Sequence, residues 1–115
     1  MRIDGSCHCG RITFEAEADP EKAGICHCND CQALSGSAFT TFLPVPKEAF
    51  ELRGEPKVYV KLYATSEKDP QVFNIRTGTV RQRAQLPPKS QLWCRSAMPW
   101  VTELDQVRQY PKQPG

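Results

Sequence analysis

The chain has 115 residues, six of them cysteine, and a net charge of +2 from fifteen basic and thirteen acidic side chains. A length of this order predicts a single domain over residues 1–115 with one modest core. The small, evenly spread charge argues against a nucleic-acid partner, and no apolar run approaches the ~18 residues of a membrane span. Because the N-terminus has no signal-peptide pattern, we expect a soluble cytoplasmic protein.

Taken in chain order, the predicted elements are mostly short strands. Residues 11–16 alternate polar and apolar side chains, which places Ile12, Phe14 and Ala16 on one buried face of a strand. This alternation is typical of a sheet that is covered on one side only. Further β-rich runs follow at Phe39–Leu43, Val58–Val60 and Val72–Ile75.

Turn-forming residues separate these runs. Pro44 and Pro46 are among the prolines expected to interrupt the strands. One short helix is expected, capped by Asn29 or Asp30 and closed by Gly36. The pattern as a whole predicts a mainly β fold that is built from short hairpins.

Cysteine placement is the most informative feature of the sequence. Five of the six cysteines form two clusters, C-x-C at Cys7 and Cys9 and C-x-C-x-x-C at Cys26, Cys28 and Cys31. Clustered thiols in a reducing compartment indicate metal binding, and zinc prefers thiolate ligands. Three sulfurs on one ion leave the fourth position open, which is how catalytic zinc sites are built.

Two other interpretations of the cysteines stay open. In the first, the protein holds a single structural zinc. Cys7 and Cys9 supply half of this closed site, and two of the later cysteines supply the other half. A dithiol redox protein is the second, although the chain lacks the βαβ pattern of such proteins. Cys94 stands alone and is expected to be a small buried hydrophobe.

Several other side chains have candidate roles. His8 and His27 each lie between two cysteines, and we expect both to point away from the metal, as exposed loop residues or as hydrogen-bond partners near the site. Trp93 and Trp100 are expected to pack in the core, and the alternative is that one of them flanks the site. Arg95 is a candidate contact for a substrate carboxylate.

Polar residues outside the clusters give weaker signals. We expect Arg76, Arg81 and Arg83 to alternate along a late strand as a solvated face, with at most one of them binding a substrate carboxylate. Ser35 and Ser37 are expected in an exposed turn. Their hydroxyls are also candidate donors to an alkoxide that develops in the reaction.

Two segments of the chain resemble a known family. They are Gly5–Glu15 (GSCHCGRITFE) and Cys26–Phe39 (CHCNDCQALSGSAF). Both are similar, almost position by position, to motif blocks of the glutathione-dependent formaldehyde-activating enzyme family, which includes centromere protein V. The pieces that also fit are Phe50–Gly54, Arg76–Thr79, Trp93, Arg95, Pro99 and Trp100.

The resemblance implies a beta-tent fold of small packed sheets with two zinc ions. It implies that Cys26, Cys28 and Cys31 hold a catalytic zinc, and that Cys7 and Cys9 join a later C-x-x-C pair around a structural zinc. The implied activity is that of a carbon–sulfur lyase, which joins glutathione and formaldehyde into S-(hydroxymethyl)glutathione. A non-enzymatic zinc module for protein contacts is the alternative on the same fold.

The sequence departs from the family pattern at one place. The later C-x-x-C-G block is expected just before Leu62, but Lys61 runs directly into Leu62. A true deletion would leave at most one family-type zinc site. Because the flanking residues fit the family on both sides, we expect instead that a segment is missing between these two residues.

Overall fold

Short strands in two sheets form the framework of the described chain. The computed structural model describes residues 1–56 and 71–114. One sheet consists of β1 (Arg2–Ser6), β2 (Thr13–Glu17) and β5 (Phe50–Arg53), and it is antiparallel in the order β1-β2-β5. The other consists of β3 (Gly24–Cys26), β4 (Thr40–Pro46), β6 (Val72–Ile75) and β7 (Ser90–Leu92), in the order β6-β4-β3-β7. The predicted mainly β fold is confirmed.

One α-helix, α1 (Asn29–Ser35), lies within the described ranges. As predicted, it is closed by Gly36, which has a left-handed φ of 60°. Its N-cap is Cys28 and not Asn29 or Asp30, because the Cys28 sulfur accepts a hydrogen bond from the backbone N–H of Cys31. None of the described helices has the length and apolar character that crossing a membrane requires.

Short 3-10 turns make up most of the remaining regular structure. They lie at Pro20–Lys22, Lys47–Ala49, Thr77–Thr79, Arg83–Gln85, Cys94–Ser96 and Pro99–Gln106. The C-terminal third is therefore a series of turns around the single strand β7.

The core lies between the two sheets. The alternation predicted for residues 11–16 holds within β2, where Phe14 and Ala16 are buried and Glu17 is exposed. Ile12, which was predicted on the same buried face, lies before the strand and is only half-buried. Phe50 of β5 packs against Phe14 at 5.9 Å and against Phe73 of β6 at 5.2 Å between ring centroids, and so connects the sheets. The buried cluster is Ile3, Phe14, Ala16, Ala18, Ala23, Leu43, Val45, Ile75, Val80 and Leu86.

Asp4 attaches β1 to the segment that follows β6. Its carboxylate accepts hydrogen bonds from Arg81 at 2.9 Å and from Gln82 at 2.7 Å, and the Arg81 contact holds the pKa of Asp4 below its usual range. A Cβ on the neighbouring Gly5 would overlap the carbonyl oxygen of Thr79 and the Phe14 ring. Glycine is required there because the two backbones approach closely.

The expectation that Pro44 and Pro46 interrupt the strand is wrong, since both lie within β4. β4 pairs with β3 over residues 40–42 and with β6 over residues 43–46. The backbone N–H of Lys47 donates to Gln71 on the β6 side. Because strand N–H groups alternate in direction, the two prolines lack only the N–H groups that would point away from β6.

Three C-terminal side chains are not in the core, contrary to expectation. Trp93 and Trp100 are 52% and 53% exposed, and Cys94 is also exposed. Aliphatic residues and phenylalanines from the sheets fill the core, and the tryptophans lie on the outer turns. The Cys94 sulfur is 3.6 Å from the carbonyl oxygen of Gln91.

Two expectations concern residues outside the described ranges. They are the β-rich run Val58–Val60 and the junction between Lys61 and Leu62. Both remain predictions.

Core packing gives a direct test of this architecture. Leu43 is fully buried where β4 changes partners, so Leu43→Ala is expected to lower the free energy of unfolding by about 2–5 kcal/mol through lost burial and a cavity. The control is Val72→Ala in β6, a residue that is 52% exposed, with an expected change within about 0.5 kcal/mol. Urea unfolding at constant metal content measures both, and equal changes would contradict the proposed core.

Candidate metal centre

The cysteine cluster begins at the end of a strand that is held on both sides. Cys26 is the last residue of β3 and pairs with Thr40 of β4 on one side and with Leu92 of β7 on the other. The backbone N–H of His27 donates to the carbonyl oxygen of Leu92 at 3.0 Å. Cys26 is 8% exposed, so its sulfur has a fixed, largely buried position.

The turn from β3 into α1 brings the three sulfurs together. Cys28 caps the helix and Cys31 lies in its first turn, where its N–H donates to the Cys28 sulfur at 3.2 Å. The sulfurs of Cys26, Cys28 and Cys31 all lie within 4.8 Å of one another. Sulfurs at ~2.3 Å from a tetrahedral ion are about 3.8 Å apart, so small movements suffice to bind a metal ion. No other such group of three potential ligands occurs in residues 1–56 and 71–114.

Gln32 fixes this turn against the C-terminal segment. Its side-chain amide donates to the carbonyl oxygen of His27 at 2.7 Å and to that of Ser96 at 3.0 Å. The helix that carries Cys31 is thereby joined both to the strand end and to the turn Cys94–Ser96. The distance between the thiols is set by the tertiary fold as well as by the local motif.

The two histidines differ in burial and in their contacts. His27 is 1% exposed, its Nε2 lies 2.9 Å from Oε1 of Gln91, and its ring contacts Phe39 edge-on. The expected hydrogen bond near the site is present, whereas an exposed position for His27 is wrong. His8 is exposed on its loop.

Burial and neighbouring groups set different pKa values for two of the thiols. Burial raises the pKa of the Cys26 thiol to about 11, and the nearby thiols of Cys31 and Cys28 add to the rise. Burial also acts to raise the pKa of Cys31, but the Thr40 hydroxyl, the two other thiols and the positive charge of Arg76 lower it overall. Binding of a metal ion therefore has to displace a proton from Cys26.

Two cavities border the three thiols. One, of about 350 Å³, is lined by Cys26, Cys31, Leu34, Thr40, Phe42, Asn74, Arg76 and Leu92, and we call it the Thr40 cavity. The other is lined by Cys28, Asn29, Asp30, Trp93, Arg95 and Ser96. Arg95 stacks on the Trp93 ring at 4.9 Å, and Trp93 has a left-handed φ of 59°. A metal ion on the three sulfurs would thus be bordered by both cavities.

Arg76, Arg81 and Arg83 do not alternate along one strand, contrary to the prediction. Arg76 follows β6, Arg81 lies beyond the turn Thr77–Thr79, and Arg83 begins the next 3-10 turn. Arg76 lines the Thr40 cavity, while Arg81 and Arg83 line a separate cavity beside Cys7. One arginine of the three is therefore close to the cysteine cluster.

A tight loop brings Cys7 and Cys9 together. Their sulfurs are 3.3 Å apart, and the backbone N–H of Ile12 points to the Cys7 sulfur at 3.4 Å. Gly10 closes the loop with a φ of 81° and donates its N–H to the carbonyl oxygen of Cys7. The Ile12 N–H and then the Cys9 thiol lower the pKa of Cys7 to about 7.

The two cysteine clusters are separate in the described structure. The group that converges on one point contains Cys26, Cys28 and Cys31 but neither Cys7 nor Cys9. A closed four-thiolate site that combines both clusters is therefore not formed. Metal binding by Cys7 and Cys9 stays a prediction, and the later C-x-x-C pair that would complete their site is absent from the sequence.

Three polar residues near the site, Thr40, Gln32 and Gln91, were not predicted from the sequence. Ser35 and Ser37, the candidate donors, are both exposed, and the Ser35 hydroxyl is directed at backbone carbonyl oxygens. Thr40, Gln32 and Gln91 contact or border the cysteine turn instead. Only the register of β4 and β7 against β3 brings Thr40 and Gln91 there, and no local motif indicates it.

These features define a small β protein with three convergent thiols that can hold a metal ion. The family model described as glutathione-dependent formaldehyde-activating enzyme matches residues 2–62, just over half of the chain, and the chain belongs to this family. The match includes both cysteine clusters and Phe50–Gly54, whereas Arg76–Thr79 and the C-terminal tail lie outside it. A comparison with curated proteins finds no match.

Metal content tests the convergence of the three thiols. The protein is expected to bind metal at the cluster, and Cys28→Ser is expected to reduce binding strongly because it removes one of three sulfur ligands. Cys94→Ser is the matched control, since Cys94 is exposed and outside the group. Elemental analysis after dialysis measures both variants, and retention of metal by Cys28→Ser at this cluster would contradict the assignment.

Thiol reactivity tests the local environments in metal-free protein. Thiolates are the reactive form, so alkylation of Cys7 is expected to rise through a midpoint near pH 7, in line with its lowered pKa of about 7. Cys26, with its pKa raised to about 11, is expected to remain unreactive until the solution is strongly alkaline. Mass spectrometry of iodoacetamide-treated peptides measures both rates, and identical pH profiles would contradict these environments.

Proposed function

We propose that this protein is a zinc-dependent enzyme that adds the thiol of glutathione to formaldehyde or a related small aldehyde. The reaction would be that of an S-(hydroxymethyl)glutathione synthase and would place the protein among the carbon–sulfur lyases. The observation that carries the proposal is the convergence of Cys26, Cys28 and Cys31 beside two cavities. The description of the matching family names glutathione and formaldehyde, which supports these two substrates.

The donor set fits a zinc ion with one exchangeable position. Three thiolates are ligands that zinc prefers, and no fourth His, Cys, Asp or Glu of the described ranges joins the group. When bound, the ion would lower the pKa of a thiol in the fourth position and keep it as thiolate at neutral pH. The three cysteine thiolates would keep that sulfur electron-rich and thus nucleophilic.

The protein's own side chains would orient the two reactants. Leu34, Phe42 and Leu92 give the Thr40 cavity apolar walls. Arg95, in the cavity that borders Cys28, provides positive charge for a substrate carboxylate. Holding thiol and aldehyde in adjacent cavities replaces a random encounter by a reaction between oriented groups.

The activity is testable against the uncatalysed background. Exchange NMR with ¹³C-formaldehyde and glutathione measures the rate of hemithioacetal formation with and without enzyme. The wild-type protein is expected to accelerate exchange, Cys28→Ser to return it to the uncatalysed rate, and Cys94→Ser to leave it unchanged. Acceleration by none of the three would contradict the proposal and would favour a non-enzymatic zinc module.

A further inference from the structure

A buried hydroxyl lies beside the cysteine cluster. Thr40 is 3% exposed, yet its Oγ1 makes no hydrogen bond of ordinary geometry in the described structure. Such a group is destabilising when unpaired, because it has given up its hydrogen bonds to water. Thr40 lines the cavity that also contains Cys26 and Cys31, so the hydroxyl is available to a molecule that enters there.

Strand pairing fixes the position of this hydroxyl relative to the thiols. Thr40 is the direct antiparallel partner of Cys26, and it lines the same cavity as Cys26 and Cys31. As a β-branched residue in a strand, Thr40 has a restricted χ1 angle. An oxygen atom bound next to the sulfur cluster would therefore meet an already oriented donor.

Arg76 adds a positive charge on the same cavity. It lines this cavity, and no described carboxylate forms an ion pair with it. A hydroxyl donor and a guanidinium on one small cavity form an environment suited to an oxygen atom that gains negative charge. Ser35 and Ser37 do not line this cavity, but they line a neighbouring one with Thr40 and Arg76 that includes none of the three cysteines.

We propose that Thr40 is a catalytic residue whose hydroxyl donates a hydrogen bond to the aldehyde oxygen as the thiol adds, with Arg76 stabilising the charge that develops there. This inference rests on the proposed function. In the step, the sulfur lone pair forms the carbon–sulfur bond and the carbonyl π pair moves to oxygen. The thiol has released its proton to solvent and the alkoxide takes one from water, so nothing is oxidised or reduced.

The first test compares kinetics of three threonine variants. Thr40→Val keeps the shape but removes the donor, and we expect kcat to fall at least about tenfold, since single oxyanion donors contribute up to about 10²–10³-fold. Thr40→Ser keeps a hydroxyl and is expected to retain most activity. Thr77→Val is the matched control, because Thr77 is also buried with an unpaired hydroxyl but does not line this cavity.

A binding measurement tests the same contact without turnover. S-(2-hydroxyethyl)glutathione carries a hydroxyl near the position of the product oxygen, and S-propylglutathione is its apolar counterpart. Calorimetry is expected to show that the wild-type protein prefers the hydroxyl compound and that Thr40→Val loses this preference. Equal affinities of the wild-type protein for the two compounds would overturn the contact.

The outcomes separate this inference from the proposed function. If wild-type protein is active and Thr40→Val is equally active, the role of Thr40 is wrong while the proposed function stands. If Thr40→Val is less active, but the wild-type protein does not prefer the hydroxyl compound and cobalt-substituted Thr40→Val has an altered sulfur-to-metal absorption band, Thr40 acts through Cys31 and the catalytic role is overturned. If the wild-type protein is inactive, both proposals fail. Thermal unfolding of each variant confirms that it is folded.

Discussion

The position of β3 between two strands is the constraint on which the candidate site depends. Cys26 is paired with Thr40 of β4 and with Leu92 of β7, so the ladder on either side determines where its sulfur lies. Directly after β3 the chain turns into α1, and the Cys28 sulfur caps that helix. The turn is held from outside by Gln32 and the C-terminal segment. Together these contacts hold the three sulfurs close to one another.

The same arrangement gives the three thiols different surroundings. Cys26 is buried and difficult to ionise, whereas Cys31 is beside a hydroxyl and a guanidinium that favour its thiolate. Cys28 borders a different cavity, next to the Trp93–Arg95 pair. A metal ion on these sulfurs would be enclosed by protein on one side and would border a cavity on each of two other sides. That geometry is suited to binding a thiol and a second small molecule at the same time.

Local patterns in the sequence predicted the features that depend on neighbouring residues. Alternation identified the buried face of β2, and Gly36 identified the end of α1, because each reflects a short-range rule. Cysteine spacing predicted that the sulfurs of Cys26, Cys28 and Cys31 converge, as they do in the structure. The errors concern tertiary context: Pro44 and Pro46 fit within β4 because it changes partners, and the tryptophans lie outside because other residues fill the core. Thr40 was missed because only strand register places it beside Cys26.

X-ray absorption at the zinc edge tests the central claim, a three-thiolate centre with an exchangeable fourth position, most directly. For the zinc-loaded protein, we expect a shell of three sulfur atoms near ~2.3 Å and one lighter ligand. Addition of glutathione is predicted to convert this shell to four sulfur atoms. Measurement on Cys7→Ser, with the first cluster disabled, ensures that the signal comes from Cys26, Cys28 and Cys31. Four sulfur atoms before glutathione is added, or no change after it, would contradict a three-thiolate centre with an exchangeable fourth position.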